Sequence, residues 1–469
     1  MQKKLRAEGA ALVRDRAFFR QTLAITVPVL VQNSVSNSVS LLDNLMVGSL
    51  GTAQISGVAI ANQLMFIVML CIFGALAGPS IYGAQLYGAG DKKGFTDAFR
   101  LKLWFSMIVL AITTVVFALL GDPLFRLFLT GEGTAGEAEL ILQYAHEYAP
   151  IILAGMLPFV AVASYARTLR EAGETMLPMR AGIIAVLTNL VSNWVLIYGN
   201  LGMPALGVRG AAIATVFSRL VELTIIVVGT HRNSKFDFLH GFYRKMRVSW
   251  KLTVAVLKKG WLLLANEFFW ALGMAMNLQM YSVRGLAVLG AQNIAGTVGN
   301  LFNMFYLSLG TAVAVMAGQA LGAGDMAGAR RTVWRLITVS FILCLGIGLV
   351  MGALSGVFPL LYNVDSQVRQ LASMFLLTNA VLMPFFAISH CTFFALRAGG
   401  STVVTFVFDS GYTWLLMIPG IYLVIHFTSL PIEIAYPLTQ ASAILKALLG
   451  MWFVKRGYWL RNIVHDAPS

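Results

Sequence analysis

About twenty consecutive apolar residues in a helix are enough to cross the hydrocarbon core of a bilayer, and this chain contains such runs a dozen times over. They begin near Leu23, Ala53, Trp104, Leu140, Met176, Ala211, Thr253, Ala287, Val333, Leu371, Val403 and Ile434. Composition points the same way, with 58% hydrophobic and 12% charged residues in a chain of 469. That is half the roughly 25% charge of soluble domains, too little to cover an aqueous surface of this size. The expected fold class is an all-α polytopic membrane protein of about twelve transmembrane helices. Most runs are interrupted by Gly, Asn, Ser or Gln, which helices lining a cavity tolerate better than lipid-facing rods.

The cations set the expected orientation. Lys3, Lys4, Arg6, Arg14, Arg16 and Arg20 precede the first span; Lys92, Lys93, Arg100 and Lys102 follow the second; Arg167, Arg170 and Arg180 follow the fourth. Others lie between His231 and Lys259, at Arg330, Arg331 and Arg335, at Arg397, and at Lys455, Arg456 and Arg461. The alternate connections are poor in them. Residues 48–52 have no charge, 427–433 only Glu433, and 122–139 hold Arg126 against Asp122, Glu132, Glu137 and Glu139. By the positive-inside rule both termini are cytoplasmic, which requires an even number of spans. The net charge of +14 is spread over the loops of one side rather than gathered on a face, so no nucleic-acid partner is expected. The first twenty residues are charged and precede an apolar run too long for a signal peptide. They read as a cytoplasmic tail leading into a retained span. Cys71, Cys344 and Cys391 lie in apolar runs without metal-ligand spacing and read as packing cysteines.

Comparing the halves reveals an internal repeat. LGTAQISG at Leu50 matches LGAQNIAG at Leu289, GAQLYGAGD at Gly83 matches GQALGAGD at Gly318, MLPF at Met156 matches LMPF at Leu382, and LREAGET at Leu169 matches LRAGGST at Leu396. The matches run in one order at offsets of 239, 235, 226 and 227. Each half holds six spans, so the repeats are parallel and related by an axis along the membrane normal, as in one class of secondary transporter. The expected organisation is a cytoplasmic tail (1–20), an N-lobe (21–230), a basic cytoplasmic linker (231–252), a C-lobe (253–456) and a cytoplasmic C-terminal tail (457–469). Gly88, Gly90, Gly322 and Gly324 in the two GAGD stretches read as tight-turn glycines. No Walker, HExxH, GxSxG or DxxD-type motif is present, so neither ATP-driven transport nor enzymatic activity is expected.

An ionisable residue inside a span costs about 3 kcal/mol on insertion scales and marks a candidate site. Asp43, Arg219, Glu222, Glu267, Arg284, His390 and Asp409 qualify. Asp43 closes the first span, where Gln32, Asn33, Ser36, Asn37, Ser40 and Asn44 form a polar stripe at spacings of three and four, and Pro28 permits a bend. Glu267 lies about 20 Å into the seventh span, near the midplane. Asn266, Trp270, Met274 and Asn277 surround it in sequence, and the two amides are expected to bond it or share its ion. Such a carboxylate holds a proton, because desolvation favours the neutral form, or coordinates Na+. Asp409, near Tyr412 and Trp414, offers a second cation site or gate. Arg219 and Glu222 read as an intrahelical pair, Arg284 as a snorkelling cation, and His390 and His146 as core histidines.

At this point the chain resembles the multidrug and toxic compound extrusion (MATE) transporters. PVLVQNSVSNSVSLLDNLMVGSLGTAQISGVAIANQ, GAQLYGAGD and NLVSNWVLIYGNLGMPALGVRGAAIAT carry the resemblance in the first half, and NEFFWALGMAMN, GQALGAGDMAGARR and ALRAGGST in the second. It implies twelve helices in two pseudo-symmetric six-helix lobes and antiport of amphipathic, cationic organic compounds against H+ or Na+. Asp43 matches the first-helix acid of one branch, and Glu267 falls where another branch has a seventh-helix cation-binding Glu. Ser401 replaces a tenth-helix acid, Asn193-Trp194 replaces an Asp-Pro of the fifth helix, and Asp409 stands where it would supply a missing carboxylate. The expected cation-coupling residues are thus Asp43, Glu267 and Asp409, with Na+ possible at Asp43 or Glu267. Gln32, Asn33, Asn37, Asn193, Asn266, Trp270, Asn277 and Tyr412 are the expected cavity residues. No cofactor is expected beyond the coupling ion, and the protein is expected as a monomer in the plasma (inner) membrane with small amphipathic substrates and membrane lipid as partners. The alternative is a lipid-linked saccharide flippase of the same superfamily, which would want basic residues in its cavity.

Overall fold

The computed structural model describes residues 15–127, 135–239 and 241–465, apart from the side chains of Val39, Ser40, Leu41, Asn44, Leu45 and Ala135. Lys3, Lys4, Arg6, Arg14, Glu132 and the side chains of Ser40 and Asn44, all invoked above, lie outside the described residues. Among the described residues there is no strand, and the long helices number twelve. They are α1 (Arg16–Gly48), α2 (Thr52–Gly88), α3 (Lys92–Arg126), α4 (Ala135–Glu171), α5 (Met176–Tyr198) and α6 (Gly207–Arg232) in the first half. The second half holds α7 (Trp250–Ser282), α8 (Leu286–Gly322), α9 (Met326–Ala353), α10 (Ser366–Ala398), α11 (Thr402–Phe427) and α12 (Ile432–Arg456). Ten of them are long and apolar enough to cross a membrane among the described residues. The other two, α1 and α7, are 33 residues each and carry the polar stretches around Asp43 and Glu267. Leu119, Leu349 and Leu415 are 74%, 70% and 75% exposed, which suits helices whose solvent is lipid.

The repeat is visible in element lengths: α1 and α7 are both 33 residues and α2 and α8 both 37. It is equally visible at the ends of α2 and α8. A Cβ on Gly88 would collide with the Gln319 carbonyl, and one on Gly322 with the Gln85 carbonyl. Gly88 and Gly322 therefore serve close helix approach rather than a turn, which corrects the reading above. Gly90 and Gly324 do turn the chain, at φ of +75° and +79°, the left-handed region glycine enters freely. Asp325 then caps α9 by accepting from the Gly328 amide at 2.7 Å.

The chain divides into two compact units. The early unit holds Val31–Gly83 and Lys92–Val256; the late unit holds Met1–Leu30, Ala84–Asp91 and Leu257–Ser469. In the early unit, Val58, Leu64, Ile72, Leu142, Ile152 and Val160 pack one apolar core. The late unit has two cores. One joins Phe18 and Ile25 of α1 to Val313, Leu321, Val333, Leu396 and Trp459. The other is built on Tyr281, Phe375 and Tyr436, the last two stacked 3.9 Å apart.

Candidate functional site

The early unit encloses a cavity of about 350 Å³. Asp43, Asn62, Tyr148, Asn193, Thr215 and Arg219 supply its polar groups, and Met65, Phe66, Met69, Met156 and Phe159 much of its apolar wall. Because α1 runs on to Gly48, Asp43 is an interior residue of the helix and does not close it. The Asn193 side-chain amide of α5 donates to its carboxylate at 2.5 Å. One turn earlier on α5, Asn189 donates at 2.8 Å once its amide is oriented to satisfy its neighbours. These two donors are neutral and leave the carboxylate charge uncancelled by them. The positive group on the cavity, Arg219, is bound to Glu222 at 2.7 Å and stacks over Phe159 at 5.7 Å.

The α1 stripe does not line this cavity as one face. Gln32 and Asp43 share a face, since eleven residues are close to three full turns, but they stand about 16 Å apart along the axis. Gln32 is instead taken by Arg170 at the end of α4, which donates to it at 2.6 Å. Asn33 is half-buried and Asn37 exposed, as expected for positions about 80° and 120° around the helix from Asp43.

In the late unit, among the described residues, the expected amides do not bond Glu267. Arg397 donates to Glu267 from α10 at 3.2 Å, with its guanidinium 5.9 Å from the Phe393 and Phe394 rings. Asn266 points elsewhere, donating to Asp409 at 2.9 Å and accepting from the Ser410 hydroxyl at 2.7 Å. Asn277 lies ten residues, about 15 Å, along α7 from Glu267, so one carboxylate cannot use both amides. Trp270 is 38% exposed. Asp409 sits on a π-helical stretch of α11 and is bound by Lys446 of α12 at 2.7 Å. The Lys446 ammonium also lies over the rings of Phe408 and Tyr412, and the Tyr412 hydroxyl donates to the Ser442 carbonyl at 2.6 Å. The sequence thus brings Asp409, Asn266 and Tyr412 to one place and sets Glu267 beside a cation from another helix.

Several assignments change. Lys102, Arg170 and Arg397 are not loop cations. Lys102 is fully buried on α3 and donates to Glu171 at 2.5 Å and Thr168 at 2.9 Å, while Arg170 and Arg397 are spent on α1 and α7. Arg284 does not snorkel but clamps the end of α11, donating to the carbonyls of Ile425, Thr428 and Leu430 at 2.7, 2.7 and 3.2 Å. His146 is not a core residue; it is half-exposed and bonds Asp122 at 3.1 Å. His390 is packed among Tyr306, Phe393 and Phe394 as a core histidine should be. Lys446, a lone cation in the apolar run SAILKALLG, joins the site through the same sequence signal that marks Asp409.

A family model, MatE, matches residues 28–195 and 262–423. The probable multidrug resistance protein NorM of Thermotoga maritima is 24% identical over 452 residues, covering 95% of this chain and 94% of its own length. The multidrug resistance protein NorM of Photobacterium profundum is 24% identical over 454 residues, covering 95% of this chain and 92% of its own. Among solved structures, a mutant of the Vibrio cholerae MATE transporter VcmN is similar with a TM-score of 0.83 at 17% identity, over 95% of this chain and 99% of that one. A MOP superfamily transporter from Pyrococcus furiosus reaches 0.82 at 20% identity, over 93% and 95%. At such identities the structural likeness speaks for the fold.

Proposed function

Because the chain belongs to the MatE family, we propose that it is a multidrug efflux transporter exporting amphipathic, cationic organic compounds by alternating access in exchange for H+ or Na+. The observation that carries this reading is the Asp43 carboxylate, held by neutral amides on a cavity walled by Met and Phe. A flexible thioether and aromatic wall adapts to varied apolar shapes, and the carboxylate selects positive charge. A proton on Asp43 removes that selection and releases the cation. Na+ does the same through oxygen ligands, for which the buried, unpaired Asn193 side-chain oxygen stands available. One charge moved across 100 mV supplies about 2.3 kcal/mol, or roughly fifty-fold accumulation.

The reading places both termini in the cytoplasm and the monomeric protein in the plasma (inner) membrane. The flippase alternative requires cations facing the cavity for a diphosphate. Arg219 is there, but Glu222 already neutralises it, so drug export is the better fit. The test is export of a fluorescent organic cation from proteoliposomes under separate H+ and Na+ gradients. Wild-type protein should concentrate the dye under at least one gradient and Asp43→Asn under neither. Dye export by the Asn variant at the wild-type rate removes Asp43 from the mechanism, and no export by wild type under either gradient returns the flippase reading.

A further inference from the structure

The matched LREAGET and LRAGGST stretches make Arg170 and Arg397 equivalent residues of the two repeats, each one position before the end of its helix. Within its own unit, each reaches the first helix of its repeat at the same level. Arg170 meets Gln32 at 2.6 Å and Arg397 meets Glu267 at 3.2 Å. The two partners lie 17 and 18 residues into helices of equal length. An amide thus does in the early unit what a carboxylate does in the late one.

The counter-charge is arranged differently. The acid of α6 nearest in charge to Arg170 is Glu222, buried and already bound to Arg219 at 2.7 Å, so one carboxylate serves both cations. The corresponding stretch of α12, Ala447-Leu448-Leu449, has no acid. The late repeat therefore needs its carboxylate elsewhere, because an uncompensated guanidinium in a low-dielectric interior is costly.

We propose that Arg170 and Arg397 are positioning residues tying the first to the fourth helix of each repeat, and that Glu267 is the built-in counter-ion of Arg397 rather than a site that exchanges coupling ions. This rests on the transporter reading given above and assigns the exchange to Asp43. The molecule already contains the glutamine version of the joint, so Glu267→Gln preserves its geometry.

The experiment measures gradient-driven dye export in proteoliposomes as a function of pH, together with thermal midpoints of the same purified variants. Glu267→Gln leaves the Arg397 guanidinium uncompensated and is expected to lower the thermal midpoint, while the folded protein keeps kcat and KM within about twofold of wild type and a superimposable pH profile. The reciprocal Gln32→Glu, which adds a carboxylate beside Arg170, is expected to keep the same kinetics without lowering the midpoint, and serves if the first variant folds poorly. Arg397→Gln, which strands the carboxylate, is expected to lose export at least tenfold and to lower the thermal midpoint. Adding Glu267→Gln to it restores both. A Glu267→Gln variant that folds but loses export, or shifts its pH midpoint by a unit, overturns the proposal. So does an Arg397→Gln defect that the second substitution leaves unrepaired. Absence of dye export by wild type refutes the transporter reading instead, and the midpoints of the Arg397→Gln cycle then decide the pairing by themselves.

Discussion

Lys102 and Glu171 offer the sharpest test of how dry the early unit is. Their side chains are 0% and 7% exposed and meet at 2.5 Å, with Thr168 as a further partner of the ammonium. Glu171 lies directly against the backbone of Gly83, where a Cβ would collide with its carboxylate. Lys102→Met removes one charge and leaves the other where water cannot reach it. Breaking such a pair costs about 3–5 kcal/mol, a shift of roughly 10²- to 10⁴-fold in the unfolding equilibrium. Replacing both charges by methionine removes the desolvation cost along with the attraction, so Lys102→Met/Glu171→Met is expected to match wild type or exceed it by up to about 4 kcal/mol. The Thr168 hydroxyl retains its own acceptor, the Ser164 carbonyl at 2.8 Å, so the double variant creates no new orphan there. The assay is loss of helical circular dichroism on heating in detergent, with all four corners of the cycle measured. A single variant as stable as wild type would mean that water reaches Glu171. A double variant as unstable as the single would mean that shape rather than charge holds the site. Either result refutes the argument.

Three further outcomes follow from the packing. Gly322→Ala places a methyl group in the Gln85 carbonyl, and since neither backbone can rotate away it should lower stability by about 1–3 kcal/mol, read as a thermal midpoint; Gly121→Ala, where a Cβ meets nothing, is the control and should not. Arg284→Met should increase amide hydrogen exchange across residues 424–430, and Arg284→Lys should not restore protection, because one ammonium cannot replace a fork that binds several carbonyls. Arg335 at 2.7 Å holds the Asp15 carboxyl below the usual carboxylate range. The contribution of Asp15 is therefore fully present above its unfolded value of about 3.9 and is lost only as pH falls through the lower folded value. Asp15→Asn should accordingly shift the thermal midpoint equally at pH 6 and pH 8; unequal shifts would contradict the assignment.

Twelve helices and their duplication were legible because both depend on local pattern: run length fixes span number, and GAGD and LRxxGxT recur at near-constant offsets. Asp43 was legible for the same reason, as an acid in an apolar run. Its donors were half legible. Asn193 is an amide in a span, but only the α1–α5 packing shows that it faces Asp43. What the sequence hid was pairing across helices. Lys102, Arg170 and Arg397 lie within about three turns of basic loops, where a cation count cannot distinguish a loop charge from one turned inward. The register of α7 mattered too. Asn266 and Glu267 are neighbours in sequence but about 100° apart on the helix, so one serves Asp409 and the other Arg397.

The first helix also carries a consequence for biosynthesis. Residues up to Leu30 belong to the late unit. Asp15 is bound to Arg335, Thr22 contacts the Met316 sulfur at 3.8 Å, and Phe18 and Ile25 pack with Val313 and Leu396. The opening of α1 therefore leaves the ribosome some three hundred residues ahead of its partners, a delay of about 15–60 s at ordinary elongation speeds. The late unit is complete only once residues 459–463 have been made, since the Ile463 amide donates to Gln85 at 2.9 Å and Trp459 is fully enclosed. Until then the opening turns of α1 are a helix end without its neighbours, the segment most open to capture by insertion factors or to misplacement in the bilayer.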